Sequence, residues 1–424
     1  MLIAQDRILL DRLDQARLQT DKLFAIVKPD SLYDRPIPER HRIVFYIGHL
    51  EAFDWNLLRS ETNAQPFDAG LDKLFAFGID PVDGGLPSDR PSDWPVLEDV
   101  RRYGARVREE LDARLDRVPE ILLHTAIEHR LMHAETLAYM LHQLPREQKI
   151  PQRQADVPEC GQPRPESIEI PEGGITLGLS RDAADFGWDN EYQAHRVGVP
   201  AFVIDRYKVT NGQFLEFMRA GGYQDRSLWT ALDWEWKASN DVSHPAFWKH
   251  AGDSWNLRIM FDEIPLPVSW PVYVSQAEAS AYARWAGKRL PTEAEWQRAA
   301  YGSPTGVESR FPWGDEIPGP EHGYFDFRRW DPSPVDAFPR GRSAFGLDGL
   351  LANGWEWTAT PFGPFKGFEA FPSYEGYSAN FFDAKHFVMK GGSPRTDRSM
   401  LRRSFRNWFQ PHYPYVYAGF RCAS

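Results

Sequence analysis

His129 and His133 stand four residues apart in the stretch IEHRLMHAE. On a helix that advances about 100° per residue they differ by about 40° and leave the same face one turn apart. That is the arrangement two imidazoles need to hold one metal ion. Glu135 comes two residues after His133, about 200° round the same helix, so it does not complete a two-histidine, one-carboxylate triad and is read as structural or as a partner behind the ligands. A third ligand has to come from another helix. His49, in the middle of the apolar amphipathic segment FYIGHLEAFDW, is the candidate. Three imidazoles without a thiolate suit iron, zinc or copper, and three coordination positions left over would suit redox chemistry on iron. His41, His124 and His142 are read as structural, since His124, five residues before His129, falls well off the ligand face.

These histidines lie on segments with helical periodicity. Apolar residues recur at helical spacing over Ile43–Leu58 and Val118–Leu144, with further helices expected over Gln5–Val27 and Trp94–Leu115. Four helices of this length fit an antiparallel bundle over residues 1–145. Residues 145–166 hold five prolines, many charges and no periodicity, so 146–166 reads as a linker. From 167 to 424 glycine, proline and tryptophan become frequent and strands look short. Only two convincing helices remain there, Asn211–Ala220 and Ser275–Ala286 with a continuation over Thr292–Ala300. This half is expected to be an irregular α+β domain.

At 424 residues, with 42% hydrophobic and 14% aromatic residues, the chain is globular and long enough for two or three domains. Its 49 basic and 60 acidic residues leave a net charge of −11, which argues against duplex nucleic acid as a partner. Two cysteines, Cys160 and Cys422, make neither a disulfide scaffold nor a paired-cysteine zinc site. No apolar run of about 18 residues predicts a membrane span, and the start MLIAQDRILLDRLDQ lacks a signal-peptide core. The expected address is a reducing cytoplasm; the oligomeric state is left open.

The N-terminal half, with His129, His133 and Glu135 as H-x-x-x-H-x-E, resembles the DinB-type four-helix bundle. The C-terminal half resembles a formylglycine-generating-enzyme-type domain, a variant of the C-type lectin fold. FGWDNE (Phe186–Glu191), YKVTNGQFLEFMRAGGY (Tyr207–Tyr223), the segment Pro267–Ala300, NGWEWTATPF (Asn353–Phe362), KGGS (Lys390–Ser393) and FRNWFQPHYPYVYAGFRCA (Phe405–Ala423) carry that likeness. Together the halves resemble the ergothioneine-biosynthetic sulfoxide synthases of the EgtB type. The resemblance implies an Fe(II) enzyme held by His49, His129 and His133, with its active site between the two halves. It would use O2 to join the sulfur of cysteine or a derivative to the imidazole of N-alpha-trimethylhistidine. The stretches RPIPERHRIVFYIGHLEAF and FAFGIDP also resemble the ovothiol-forming synthases, and a selenoneine-forming synthase shares the architecture.

The resemblance places Asn407 and Trp408 near the trimethylammonium group and makes Tyr374, with Tyr377 of the same Y-E-G-Y segment, the candidate proton donor. Two positions depart from the glutamyl-cysteine-using branch: Met132 stands where it has Gln, and Phe409 where it has Asp. Loss of that Asp favours a smaller donor such as free cysteine. Arg90, Arg395 and Arg398 could grip a donor carboxylate but read as solvated loop charges, Asp80 as a turn former, and Glu51, Asp54 and Glu98 as helix surface. A formylglycine-generating oxidase is disfavoured because Cys422 has no partner cysteine in its domain. A lectin-like binding module on a helical scaffold is the non-enzymatic alternative.

Overall fold

The computed structural model describes residues 4–76, 78, 86–157, 163–183 and 185–424, with side chains from residue 7 onward. Asp80 and Cys160 lie outside the described residues. The chain divides into two units, Met1–Gln152 and Arg153–Ser424.

The first unit carries α1 (Ala4–Ile26), α2 (Ile43–Thr62), α3 (Ala69–Leu74), α4 (Leu97–Asp112) and α5 (Glu120–His142). The four long helices lie where apolar periodicity predicts them, with α4 shorter than expected because Pro95 and the extended Val96 precede it and Leu115–Arg117 forms a separate turn. α1 packs along α5, and α2 along both α4 and α5, burying Leu13, Leu23, Val44, Trp55, Val107, Leu111, Ala126 and Leu137 between them. α2 stops at Asn63, whose φ of 55° is the left-handed conformation that closes helices and that Asn tolerates.

Glu51 and Asp54 correct the sequence reading: both are buried, not surface. The physical reason is Arg130 of α5. Its Nε donates to Asp54 Oδ2 at 2.8 Å, and its Nη2 lies 2.8 Å from Glu51 Oε2 and donates to the Leu50 carbonyl at 3.1 Å. Arg108 of α4 donates to Glu51 Oε1 at 2.7 Å and grips both oxygens of Asp21 in α1. One charge network thus ties all four long helices together. Burial lifts the Asp54 carboxyl, whereas for Glu51 burial is outweighed by Arg130 and Arg108, which bring it down to about 2. Glu98 is exposed, as read.

Residues 146–157 of the expected linker are fastened to their neighbours. Lys28 N donates to Gln148 O at 3.0 Å and Ile150 N to Ile26 O at 2.8 Å, tying this end to α1. Past the unit boundary, Ala155 N donates to Arg328 O at 2.9 Å and Trp330 N to Gln154 Oε1 at 2.9 Å. Proline content marks where a chain leaves regular structure, not whether its backbone is bonded elsewhere.

The second unit holds α6 (Asn211–Arg219), α7 (Ala231–Ser239), α8 (Gln276–Trp285) and α9 (Glu293–Tyr301). α6, α8 and α9 open with reciprocal caps, Thr210 with Gln213, Ser275 with Glu278 and Thr292 with Glu295. α8 and α9 are separate helices, because Gly287 at φ 68° ends the first and Pro291 precedes the second. β1 (Ser167–Ile170) pairs with β4 (Phe202–Asp205), β2 (Gly173–Leu177) with β3 (His195–Val199), and β5 (Trp248–Ala251), β6 (Ser254–Arg258) and β7 (Glu263–Pro265) form a meander. The largest sheet has the order β10 (Asn407–Phe409), β9 (Phe387–Lys390), β8 (Trp355–Pro361), β11 (Ala418–Gly419), with β11 parallel to β8. α9 sends Trp296 into a core shared with Ile175, Phe202, Leu347 and Leu350. Among the described residues no helix is long and apolar enough to cross a membrane.

Candidate metal centre

The structure brings His49, His129 and His133 together. One nitrogen from each lies within 4.8 Å of the other two, and all three side chains are buried. The ring centroids are 5.5 Å apart for His49 and His129, 5.0 Å for His49 and His133, and 4.4 Å for His129 and His133. α5 supplies the pair one turn apart and α2 the single histidine.

A backbone carbonyl fixes how His49 is presented. Its Nδ1 is 2.8 Å from the Phe75 carbonyl oxygen, which can only accept, so Nδ1 carries the proton and the Nε2 lone pair is free to ligate. Phe75 caps α3. That helix is anchored by Asp72, whose carboxylate accepts from Trp55 Nε1 of α2 at 3.1 Å and from Tyr103 OH of α4 at 2.8 Å. Sequence reading missed α3 because six residues are too few to show a period. The D-A-G-L start was its one signal, with Asp68 accepting from Leu71 N at 3.0 Å.

Aromatic rings enclose the imidazoles. Phe45 stacks on His49 at 4.9 Å and Phe53 on His129 at 3.4 Å. Phe45, His49 and Phe53 recur every four residues on α2, a spacing from which both rings could have been read. Tyr46 lies 6.0 Å from the His133 ring. Burial brings His49 down to about 4 and holds His129 and His133 well below the ordinary imidazole value, helped by their mutual repulsion and by Arg130. All three are therefore neutral at pH 7, which is the protonation state a metal ligand needs. His133 Nδ1 is buried without a hydrogen-bond partner. A buried cluster of neutral imidazoles with a lone pair aimed by a carbonyl fits a borderline divalent transition metal.

Gly48 makes this packing possible, since a Cβ there would sit 2.5 Å from Phe75 ring atoms. Gly48→Ala is expected to cost about 1–3 kcal/mol of stability by overpacking. It should also weaken metal binding about 10- to 100-fold by displacing the carbonyl that orients His49. Thermal unfolding and a metal titration check this; unchanged values for both would mean that Phe75 does not set the ligand.

Glu316, Glu321 and His322 form a second group within 4.8 Å of one another, with Glu316 exposed. There the His322 Nδ1 lone pair is already used, accepting from Gly319 N–H at 3.0 Å.

The remaining candidates fall into separate settings. Met132 and Glu135 on α5 are half-buried, His142 is buried, His124 is half-buried, and His41 Nε2 lies 3.1 Å from the Gly78 carbonyl. Arg90 is exposed, and its backbone N–H donates to Asp93 Oδ2 at 2.7 Å. Asn407, Trp408 and Phe409 form the edge strand β10, all half-buried. Trp408 stacks on Phe362 at 4.1 Å and lies 5.3 Å from Tyr377 and 5.6 Å from Phe381. Tyr377 is buried and stacks on Trp188 at 4.0 Å, while Tyr374, 5.6 Å from Tyr377, is half-buried. Ser378 Oγ donates to Asp189 Oδ1 at 2.5 Å and pins this turn to the FGWDNE segment. Cys422 is buried, and burial pushes its thiol above the ordinary range. Arg398 is exposed and paired with Asp326. Arg395 corrects the reading of a solvated charge, because its side chain is fully buried.

Comparison with known proteins agrees with this two-part construction. Residues 12–147 match the DinB superfamily, and residues 153–424 match the Sulfatase-modifying factor enzyme 1-like domain. The chain is 41% identical over 250 residues to the hercynine oxygenase of Mycobacterium tuberculosis, covering 58% of each chain. It is 36% identical to that of Mycolicibacterium thermoresistibile over 76% of this chain and 74% of the relative. It is 29% identical to ergothioneine biosynthesis protein 1 of Neurospora crassa over 92% of this chain, spanning 55% of that longer protein. With a DinB-type bundle joined to a sulfatase-modifying-factor-type domain, and relatives of that name matched through both, the chain belongs to the EgtB-type family of hercynine oxygenases.

Proposed function

We propose that this protein is an Fe(II)- and O2-dependent sulfoxide synthase of ergothioneine biosynthesis. It joins the sulfur of cysteine or a cysteine derivative to the imidazole of N-alpha-trimethylhistidine. The observation that carries the reading is the buried cluster of neutral histidines, His49, His129 and His133, in a chain of the hercynine oxygenase family. The overall change takes one hydrogen from the thiol and one from a ring carbon, forms the C–S bond, places one oxygen on sulfur and releases the other as water. Iron held by His49, His129 and His133 would supply the redox chemistry with O2.

The chain's own residues have separable tasks. The three imidazoles hold the metal, with the Phe75 carbonyl fixing His49. Phe45 and Phe53 cover the flanks of the ligands and keep water from them. A trimethylammonium group cannot donate a hydrogen bond, so its site relies on aromatic faces. Trp408, with Phe381 and Tyr377 around it, offers such faces, and Asn407 adjoins it. Phe409 in place of a carboxylate, and Met132 on α5, favour a donor without a γ-glutamyl group, such as free cysteine.

Trp408→Ala should raise KM for trimethylhistidine about tenfold, the loss of about 1.4 kcal/mol of cation–π binding, and raise it less for histidine. Equal losses for the two acceptors would remove Trp408 from the ammonium site. Reduction of O2 consumes protons, and we assign the Tyr374 phenol as their donor, with Tyr377 three residues on as the alternative. Tyr374→Phe should leave iron and substrate binding in place but divert O2 to oxidation of the donor sulfur, read by mass spectrometry as sulfinic acid in place of coupled product. A variant that couples at the wild-type rate assigns the proton to another tyrosine.

A further inference from the structure

We propose that Arg395 is the cation of a buried anion site in the C-terminal unit, built to take a small carboxylate, whether free or carried by an amino-acid substrate. Its side chain is fully buried, and Nε, Nη1 and Nη2 all lack a hydrogen-bond partner. Asp331, the carboxylate closest to it, lies 3.7 Å away, too far for a hydrogen bond. That carboxylate is also committed elsewhere, with Oδ1 accepting from Met260 N at 3.0 Å and Oδ2 from Gln154 Nε2 at 3.2 Å.

Arg329 is buried beside the same Asp331, with Asp156 as a further carboxylate acting on it. Arg329 donates to the carbonyls of Pro332 and Ala155 and is satisfied by them. Arg395 has no such carbonyl. The guanidinium lies over the Tyr417 ring, 3.5 Å from its centroid, so one face is covered by an aromatic surface. Stacking uses the face of the group and leaves its in-plane N–H edges to donate, the fork that matches a carboxylate.

The position of this group is fixed. Gly391, at φ 102°, turns the chain where a Cβ would meet the Leu350 carbonyl at 2.6 Å. The backbone N–H of Arg395 then donates to Ser393 Oγ at 3.1 Å. The hydroxyl of Ser333, two residues beyond Asp331, is likewise buried without a partner. Buried polar groups are as a rule hydrogen-bonded, and a buried cation more strictly so. An acceptor in the plane of Arg395 satisfies that rule. The residues of this site all belong to the C-terminal unit, and the site is independent of the reaction proposed above.

The test is thermal unfolding of the full chain titrated with formate, acetate and cysteine at constant ionic strength, for wild type, Arg395→Met and Arg395→Lys. Wild type should gain stability in equal steps for each tenfold rise in formate above its Kd, as expected of a ligand that binds only the folded state. Arg395→Met should unfold near the wild-type anion-free temperature, since it gives up no hydrogen bond, and should not respond to formate. Arg395→Lys keeps the charge but loses the fork, so its response should shift to higher concentration. If cysteine acts at lower concentration than formate, the carboxylate belongs to a substrate; equal action marks a site for free anions. A wild type indifferent to all three, or an Arg395→Met that responds as wild type does, would overturn the proposal. Should Arg395→Met fail to fold, Arg395→Lys against wild type carries the same comparison, and identical titrations of the two would likewise overturn it.

Discussion

His129→Ala and His133→Ala are each expected to lose stoichiometric metal while the bundle stays helical. Each variant removes one of three neutral imidazoles whose nitrogens lie within 4.8 Å of one another, and two remaining nitrogens do not hold a divalent ion tightly. The helices remain because the contacts between them come from aliphatic side chains such as Leu13, Leu137 and Val44, and from the Arg130 network. His49→Ala carries the same expectation from the other helix. The loss should exceed that of Gly48→Ala, which only displaces the carbonyl behind His49. Metal content after anaerobic loading, read beside far-UV circular dichroism, decides it. Full occupancy in any of the three variants would take that residue out of the ligand set.

Arg130→Met is expected to be the most destabilising single change in the bundle, at about 3–5 kcal/mol, because it strands two carboxylates in the interior. Asp54 is fully buried and Glu51 nearly so; Arg108 reaches only Glu51, and Arg17, 4.0 Å from Asp54, is too far to replace the hydrogen bond that Arg130 gives it. The expected relief is specific. A triple variant with Arg130→Met, Glu51→Met and Asp54→Leu removes both signs of charge and should lose less than the single variant. Arg130 follows His129 directly and holds α2 through Leu50, next to His49, so the single variant should also weaken metal binding. Chemical denaturation measures the first effect and metal titration the second. A single variant within about 1 kcal/mol of wild type would mean that the network is solvated rather than buried.

The histidine pair was legible because a helix makes spacing into geometry: residues four apart share a face whatever surrounds them. His49 was legible for a related reason, as a polar residue within an apolar helical segment. What surrounds these ligands was harder to read. The Phe75 carbonyl that orients His49 is backbone, so no residue type marks it, and α3, which carries it, is too short to show a period. Glu51, Asp54 and Arg130 were misread or passed over because a charged residue in a helix looks the same in sequence whether it faces water or a partner. Arg130 lies 76 positions from Asp54 and 79 from Glu51. Arg395 was misread in the same way, since a charge after a glycine-rich turn is usually solvated.

In the second unit, α6, α8 and α9 fall on the segments expected to be helical, and each opens with a cap on which that expectation did not rest. The pairs Thr210 with Gln213, Ser275 with Glu278 and Thr292 with Glu295 stand in the sequence three residues apart. α7 was missed although Thr230 accepts from Asp233 N at 3.2 Å in the same pattern, because its interior ALDWEWKAS has no clear apolar face. Strand pairings such as Asn407 with Met389 join residues far apart in the chain and depend on a sheet order that local pattern does not carry.

The protein is loaded anaerobically with Fe(II), supplied with trimethylhistidine and cysteine, and exposed to O2, with the product read by mass spectrometry. One dominant product is expected, with a mass equal to the sum of the two substrates plus one oxygen and minus two hydrogens. That product should be absent without iron and absent with His133→Ala. Cysteine oxidised alone at the full rate of O2 consumption, with trimethylhistidine recovered unchanged, would contradict it.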